Sequence, residues 1–285
     1  MAIFPGSAIP SAVSDYEIDN SVRFEDADSA ELSRTFGSAG DQTAWTFSAW
    51  IKRVDRAEDI GARPVFGAYT DSSNWSEIRY HSDHDSLRWI ETISGSTVGQ
   101  LRTSASYRDP SSWYHITCTW DSDNGTSGNR MRMYVNGEEV TAFATDTNPS
   151  SGQVSATNKA CEHTVGSTRD SSSTYYTSGY MAEVYFIDGT ALTPSTFGEL
   201  DSKTNQWKPL DSDDVKDAVS FGTNGFFQKY NSTELAASFE DSSPLTTDNT
   251  FSPTESITAN ILLVAGGGAG GVNHHGAGGG GGGVL

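Results

Sequence analysis

Apolar and polar residues alternate along most of the chain between residues 17 and 190. The clearest instance runs from Trp113 to Val140, where WYHITCTW and RMRMYVNGEEV flank the polar loop DSDNGTSGN. Successive strand side chains point to opposite faces, so Tyr114, Ile116, Cys118 and Trp120 share one face while Trp113, His115, Thr117 and Thr119 share the other. Two such runs around a loop of Gly, Asn, Asp and Ser predict a β-hairpin. Asn136-Gly137 predicts a second tight turn, because both residues accept positive φ at low cost.

Further short runs surround this hairpin: SVRF, AELSRTF, AWTFSAWIKRV, RPVFGAYT, SEIRYHS, SLRWIETI, CEHTVGST and GYMAEVYFID. In one of them Trp45, Phe47 and Ala49 alternate with Ala44, Thr46, Ser48 and Trp50. Strands at this spacing, with no helical periodicity among them, predict an all-β fold: an antiparallel two-sheet sandwich or jelly roll. Trp50, Trp89, Trp113 and Trp120 lie in strand runs and are read as core or sheet-face residues. After the last run, Leu192 to Ser195 predicts a turn or short helix, with Thr193 as cap and Pro194 in the first helical position. Residues 201–260 are polar, with the acidic cluster Asp211, Asp213, Asp214 and Asp217 and one strand candidate, VSFGTNGFFQKY. Phe226, Phe227 and Tyr230 are too apolar for a free linker, so this extension is expected to pack on the sandwich.

The expected organisation is an extended arm over 1–16, a sandwich over 17–200, the extension over 201–260, and an apolar strand leading into a glycine-rich region over 261–285. Pro5, Gly6 and Pro10 prevent the arm from burying a core of its own, yet Ile3, Phe4, Ile9 and Val13 equip it to dock on a partner. The run ILLVAGGGAGG contains a nominal G-x-G-x-x-G, but nothing helical follows it and no Lys-Ser or Lys-Thr succeeds it, so neither nucleotide-binding motif fits.

Charge narrows the partners. With 37 acidic and 18 basic residues and a formal net charge of −19, the chain lacks the clustered cations that nucleic acid binding requires. The amino-terminal stretch has neither the basic start nor the unbroken apolar run of a signal peptide, and no window reaches the length of a membrane span. A soluble protein made in the cytoplasm is expected, with no membrane insertion. The two cysteines, Cys118 and Cys161, fit no zinc, redox or haem spacing and are read as buried small hydrophobes, with a single bridge between strands left open.

Several segments, in order, resemble the laminin-G-like modules of tailed-bacteriophage virion and tail-fibre proteins, within the concanavalin A-like lectin/glucanase fold. They are SVRFEDADSAELSRTF, WTFSAWIKR, DPSSWYHITCTWD, YVNGEEVTAF, HTVGS and GYMAEVYFIDGTALTPSTFGELD. Trp207-Lys208-Pro209 and Phe221 to Phe227 are similar to the extension that follows the module in those proteins, and LLVAGGG to the start of a glycine-rich distal region. The resemblance implies a structural virion subunit, a tail fibre or fibre-associated protein acting in host attachment, with the arm contacting other virion proteins. It also implies a homo-oligomer, a trimer if the protein is a fibre, and a chain that continues beyond Leu285. A capsid decoration or head-fibre protein is the alternative within virions, a polysaccharide depolymerase the alternative of another class, and a non-viral lectin a third.

Catalysis is not expected. Asp26-Ala27-Asp28-Ser29-Ala30-Glu31 approaches the carboxylate motif of the resembled glucanases, but alternation places Glu31 opposite Asp26 and Asp28, and the run sits at a turn between the first two strands. Asp121 to Gly125 lacks the twelfth-position Glu of a calcium loop; His81, Asp83, His84 and Asp85 lack a third histidine. No metal or cofactor is expected. Sugar binding combines exposed rings with amides and carboxylates. The loops carrying Asp71, Asn74 and Trp75, and Ser173, Tyr175 and Tyr176, offer that mixture and are the expected ligand-binding residues, with strand positions or a subunit interface the competing uses of the tyrosines.

Overall fold

The computed structural model describes residues 16–55, 61–230, 239, 241–245 and 251–253. The first strands are β1 (Val22–Phe24), β2 (Leu32–Thr35), β3 (Ala44–Arg53), β4 (Arg63–Asp71), β5 (Asn74–His81), β6 (Ser86–Ile93) and β7 (Ser96–Thr103). The central hairpin contributes β8 (Tyr114–Asp121), β9 (Met131–Val135) and β10 (Glu138–Glu139), followed by β11 (Phe143–Thr147), β12 (Glu162–Val165), β13 (Ser167–Arg169), β14 (Thr174–Tyr176) and β15 (Gly179–Asp188). The remainder comprises β16 (Gly198–Leu200), β17 (Trp207–Pro209), one α-helix, α1 (Ser212–Ala218), β18 (Phe226–Gln228) and β19 (Ser252–Pro253).

Two antiparallel sheets face each other, as the sequence pattern predicts. One runs β1-β15-β3-β8-β9-β10, with β18 also on β15; the other runs β11-β7-β6-β5-β4-β12-β2-β19. Between them Phe47 of β3 stacks on Phe66 of β4 at 4.7 Å, and Trp45, Trp89 and Trp120 form a chain of tilted rings at 5.1 and 6.1 Å. Ile116 and Cys118 continue the same core. Burial of each such large apolar side chain contributes about 2 to 3 kcal/mol. Both cysteines are buried and free, which settles the open bridge against a disulfide.

Strand β15 carries a break in phase. Its pairing with β3 shifts between Ala182 and Tyr185, and Glu183 adopts φ 46, so the strand bulges there. Met181, Val184 and Phe186 consequently join the core between the sheets, while Tyr185 and Ile187 face outward. The free edge of β15 is shared: β1 takes Gly179 to Met181 and β18 takes Val184 to Phe186.

The outer face of the β15 sheet is covered by a further layer from the C-terminal part of the chain. Phe197, Val215, Phe221 and Phe227 pack on Tyr185 and Ile187, and Phe227 stacks on Tyr185 at 4.2 Å. This layer explains why His115, Thr117 and Thr119, the polar face of β8, are also buried. Helix α1 lies where the sequence pattern predicts no helix, yet its signals are conventional: Asp211 accepts from Asp213 N at 2.9 Å, and Asp213 and Asp214 occupy the first turn, where the helix dipole favours them. VSFGTNGFFQKY forms a strand only over Phe226–Gln228, because Phe221 to Gly225 turns beneath Asp188, whose Oδ2 accepts from Thr223 N and Asn224 N at 3.0 Å each. Pro194–Thr196 is a single 3-10 turn, and the expected Thr193 cap does not form; its hydroxyl bonds Ser195 Oγ at 2.8 Å instead.

Strands β7, β11, β16 and β17 carry no strand signal in the sequence, whereas β13 overlaps the run CEHTVGST and β14 takes up the strand alternative for Tyr175 and Tyr176. In β7, Gly99 lowers the strand signal for a packing reason, since a Cβ there would lie 2.5 Å from Met131 Sδ. Among the described residues no helix is long and apolar enough to cross a membrane. Ile3, Phe4, Ile9 and Val13, and the glycine tract, lie outside the described residues.

Candidate functional site

A groove of about 550 Å³ opens on the outer face of the β15 sheet. Its floor comes from strand alternation: Trp50 and Lys52 project outward from β3, paired in register with Ala182 and Tyr180 of β15. Trp113, just before β8, extends the floor and is 37% exposed. The short side chain of Ala182 leaves room beside the Trp50 ring. One wall is the extended segment from Tyr16 to Ser21; the other is β17, with Trp207, Lys208 and Pro209.

Both walls are pinned. Trp207 donates from Nε1 to His115 Nδ1 at 3.0 Å and its ring stacks on that imidazole. His115 Nε2 lies 2.8 Å from Ser48 Oγ, so the accepting Nδ1 fixes the neutral Nε2–H tautomer; burial agrees, pushing the His115 pKa down to about 3. This Ser48–His115 contact does not form a nucleophile and base: Ser48 is fully buried, and the imidazole donates toward the hydroxyl. The Trp207 ring also rests on two glycines. At Gly137, held at φ 83 in the predicted Asn-Gly turn, a Cβ would meet the ring at 2.4 Å, and at Gly198 at 2.7 Å.

On the opposite wall the Tyr16 hydroxyl hydrogen bonds Glu183 Oε1 and lies 3.0 Å from Ser212 Oγ. Glu183 sits on the β15 bulge and is buried; among the described residues neither its second oxygen nor the Tyr185 hydroxyl, which acts on it electrostatically, has a hydrogen-bond partner. Desolvation therefore raises the Glu183 carboxyl to about 7, against the lowering pull of the Tyr16 hydrogen bond and the Lys229 charge.

The residues expected from sequence to bind ligand lie elsewhere and are not gathered into one site. Asp71 and Asn74 close the β4–β5 turn on each other, with Asn74 Nδ2 donating to Asp71 Oδ1 at 3.0 Å and Asn74 Oδ1 accepting from Ser94 N at 3.1 Å. Trp75 is buried, in register between Tyr69 and Thr92. Tyr175 and Tyr176 belong to β14; the Tyr175 hydroxyl donates to Asp170 Oδ2 at 3.2 Å and its ring lies under Arg79 at 4.8 Å. Arg79 is five residues from Asn74 along β5, about 17 Å at strand rise. A smaller cleft of about 310 Å³ lies beside this hairpin, lined by Tyr69, Arg169 and residues 170–174.

The sequence does not single out the groove residues, although Trp50 carries a signal. It lies on the opposite phase from Trp45 and Phe47, so a large ring occupies the face expected to be polar. The acidic motif behaves as a turn: Asp26–Asp28 is a 3-10 turn, Asp26 pairs with Arg63 at 3.2 Å, and Glu31 is buried against Ser167. Asp85 of the histidine-rich stretch is likewise structural, pairing with buried Arg53 at 2.8 Å. Among the described residues, no group of three or more His, Cys, Asp or Glu side chains is placed to hold a metal ion.

A laminin-G-type family model, described as the concanavalin A-like lectin/glucanases superfamily, matches residues 24–196. The chain belongs to this superfamily. A carbohydrate-binding candidate from Bacteroides ovatus superposes with a TM-score of 0.53 at 13% identity, covering 87% of this chain and 60% of that one. Mouse laminin alpha1 domains LG4-5 give 0.43 at 8% identity, covering 80% and 50%. This chain thus spans less than two thirds of either structure. A search of curated protein sequences gave no match. The family match begins after Ser21 and ends before Trp207, so this superfamily member builds both groove walls from residues beyond the matched module.

Proposed function

We propose that the chain is a carbohydrate-binding module of a bacteriophage virion, borne on a tail fibre or fibre-associated subunit and used in attachment to the host. The observation that carries the binding reading is the groove. Trp113, Tyr180 and Trp207 supply ring faces for the apolar side of a sugar over a floor closed by the buried Trp50, and Asp19, Asn20 and Lys52 supply groups for its hydroxyls. Its fold partner from Bacteroides ovatus, described as a candidate carbohydrate-binding protein, is consistent with that use. The virion placement rests on the ordered sequence resemblance, as do the docking role of Ile3, Phe4, Ile9 and Val13 and the homo-oligomeric assembly.

A glycan array probed with the purified protein tests the binding reading. Binding to a subset of glycans is expected, with Trp113→Ala abolishing it at unchanged thermal stability; no binding to any glycan, or full binding by Trp113→Ala, sinks it. Imaging of labelled particles tests the placement, and label on the head would favour a decoration or head-fibre protein. Release of reducing sugar that Asp28→Asn abolishes would replace binding with depolymerase activity.

A further inference from the structure

The groove contains two lysines in different electrostatic situations. Lys208 Nζ is neutralised by Glu199 at 3.3 Å and Asp201 at 3.7 Å. Lys52, half-buried on the floor, forms no ion pair with any described residue. Tyr180 lies directly across from it on β15, and Trp113 stands beside it, one residue before the Tyr114 that pairs with Ile51. Asp109 is close enough for the Lys52 charge to act on it, but its oxygens are taken by Ser111 N at 2.8 Å and by the hydroxyls of Ser111 and Ser112 at 2.6 Å each.

An ammonium partly removed from water between aromatic rings, with no described anion in ion-pair contact, is incompletely compensated. The groove supplies what is needed to bring an anion to it: rings that seat a pyranose face on either side of the charge. The opposite wall carries the exposed carboxylates of Glu17 and Asp19, which repel a polymer charged on every unit. Resting on the glycan reading above, we propose that the groove selects an oligosaccharide in which one carboxylated sugar lies among neutral ones, with its carboxylate on Lys52 and neighbouring rings on Trp113 and Tyr180.

The test uses uronic-acid-containing oligosaccharides, each arrayed beside its carboxyl-reduced counterpart. The wild-type protein should bind the carboxylated member about tenfold more tightly, the size expected for one charge-assisted hydrogen bond. Lys52→Gln should bring the two members within about twofold of each other, and Lys52→Arg should keep the preference. Equal affinity of wild type for both members, or a preference that survives Lys52→Gln, overturns this inference and leaves the glycan reading standing. Absence of binding to every arrayed glycan removes both.

Discussion

Replacing Glu183 with Gln should make the protein more stable at neutral and alkaline pH, and the size of the effect follows from where the carboxyl sits. It is buried on the β15 bulge, bonded by Tyr16, with Asp211 at the α1 N-terminus, Tyr185 of its own strand and Lys229 beyond β18 as its other polar neighbours. Desolvation raises it from the ordinary value of 4.5 to about 7. A raised carboxyl pKa means that the folded state holds a proton the unfolded chain has released. The stabilisation is fully present below pH 4.5 and is lost as the pH rises to about 7. At about 1.4 kcal/mol per pH unit, the loss is about 3 kcal/mol. The Glu183→Gln side chain would keep an acceptor for Tyr16, place an amide toward the unpartnered Tyr185 hydroxyl, and never ionise. Urea unfolding of both proteins from pH 4 to 8 should show near-equal stability at the acid end and a gap opening to about 3 kcal/mol in favour of Glu183→Gln at the alkaline end. A gap that stays constant with pH, or opens in the other direction, would refute the claim that an ionised Glu183 is a buried, poorly compensated charge.

Three further outcomes can be measured. Glu91 is buried and accepts hydrogen bonds from Ser76, Trp89, Ser155, Ala156 N and Thr157, so Glu91→Ala should cost about 3 to 5 kcal/mol in chemical denaturation and expose the 155–158 loop to proteolysis. Gly137→Ala combines a left-handed φ of 83 with a Cβ driven into the Trp207 ring; a loss of about 1 to 3 kcal/mol is expected, together with weakened glycan binding as that wall shifts. Cys118 and Cys161 are buried with thiol pKa values pushed up by desolvation, so neither should react with a thiol reagent in the native protein and both should react in denaturant.

The sandwich could be read from the sequence because its signals are local. Trp45, Phe47 and Ala49 on β3 and Ile116, Cys118 and Trp120 on β8 alternate at a period of two, and Asn136-Gly137 marks its own turn. Signals fail where one residue answers to a distant one. Gly99 looks like a strand breaker until Met131 is packed against it. Glu183 looks like an ordinary alternating polar residue, yet it occupies a bulge that reverses the phase of the strand after it. Helix α1 is legible only when Asp211 and the acids after it are taken as a cap with its first turn; as bare composition the same residues signal a polar loop. The groove is not legible for a related reason: Trp75 and Tyr175 look like exposed loop aromatics in sequence, but whether a ring face is open depends on what covers it in three dimensions.

The position of the groove relative to the superfamily module bears on how binding could diversify. Trp50, Lys52, Trp113, Tyr180 and Ala182 belong to strands of the matched region or its immediate flanks, where register and the core behind them restrict substitution. Tyr16 to Ser21 and Trp207 to Pro209 lie outside it and are held by a few contacts: Tyr16 on Glu183 and Ser212, Trp207 on His115 and two glycines. Changes in these walls would reshape the groove without disturbing the stacked rings of the core. The anchoring contacts are not independent of the fold, however. Ser212 begins α1, and α1 belongs to the layer that shields Tyr185 and Ile187. The wall is thus tied to the same layer that buries the outer face of the sheet. The unit that must fold to present the groove therefore extends from Tyr16 to at least Gln228, beyond the 24–196 match at both ends.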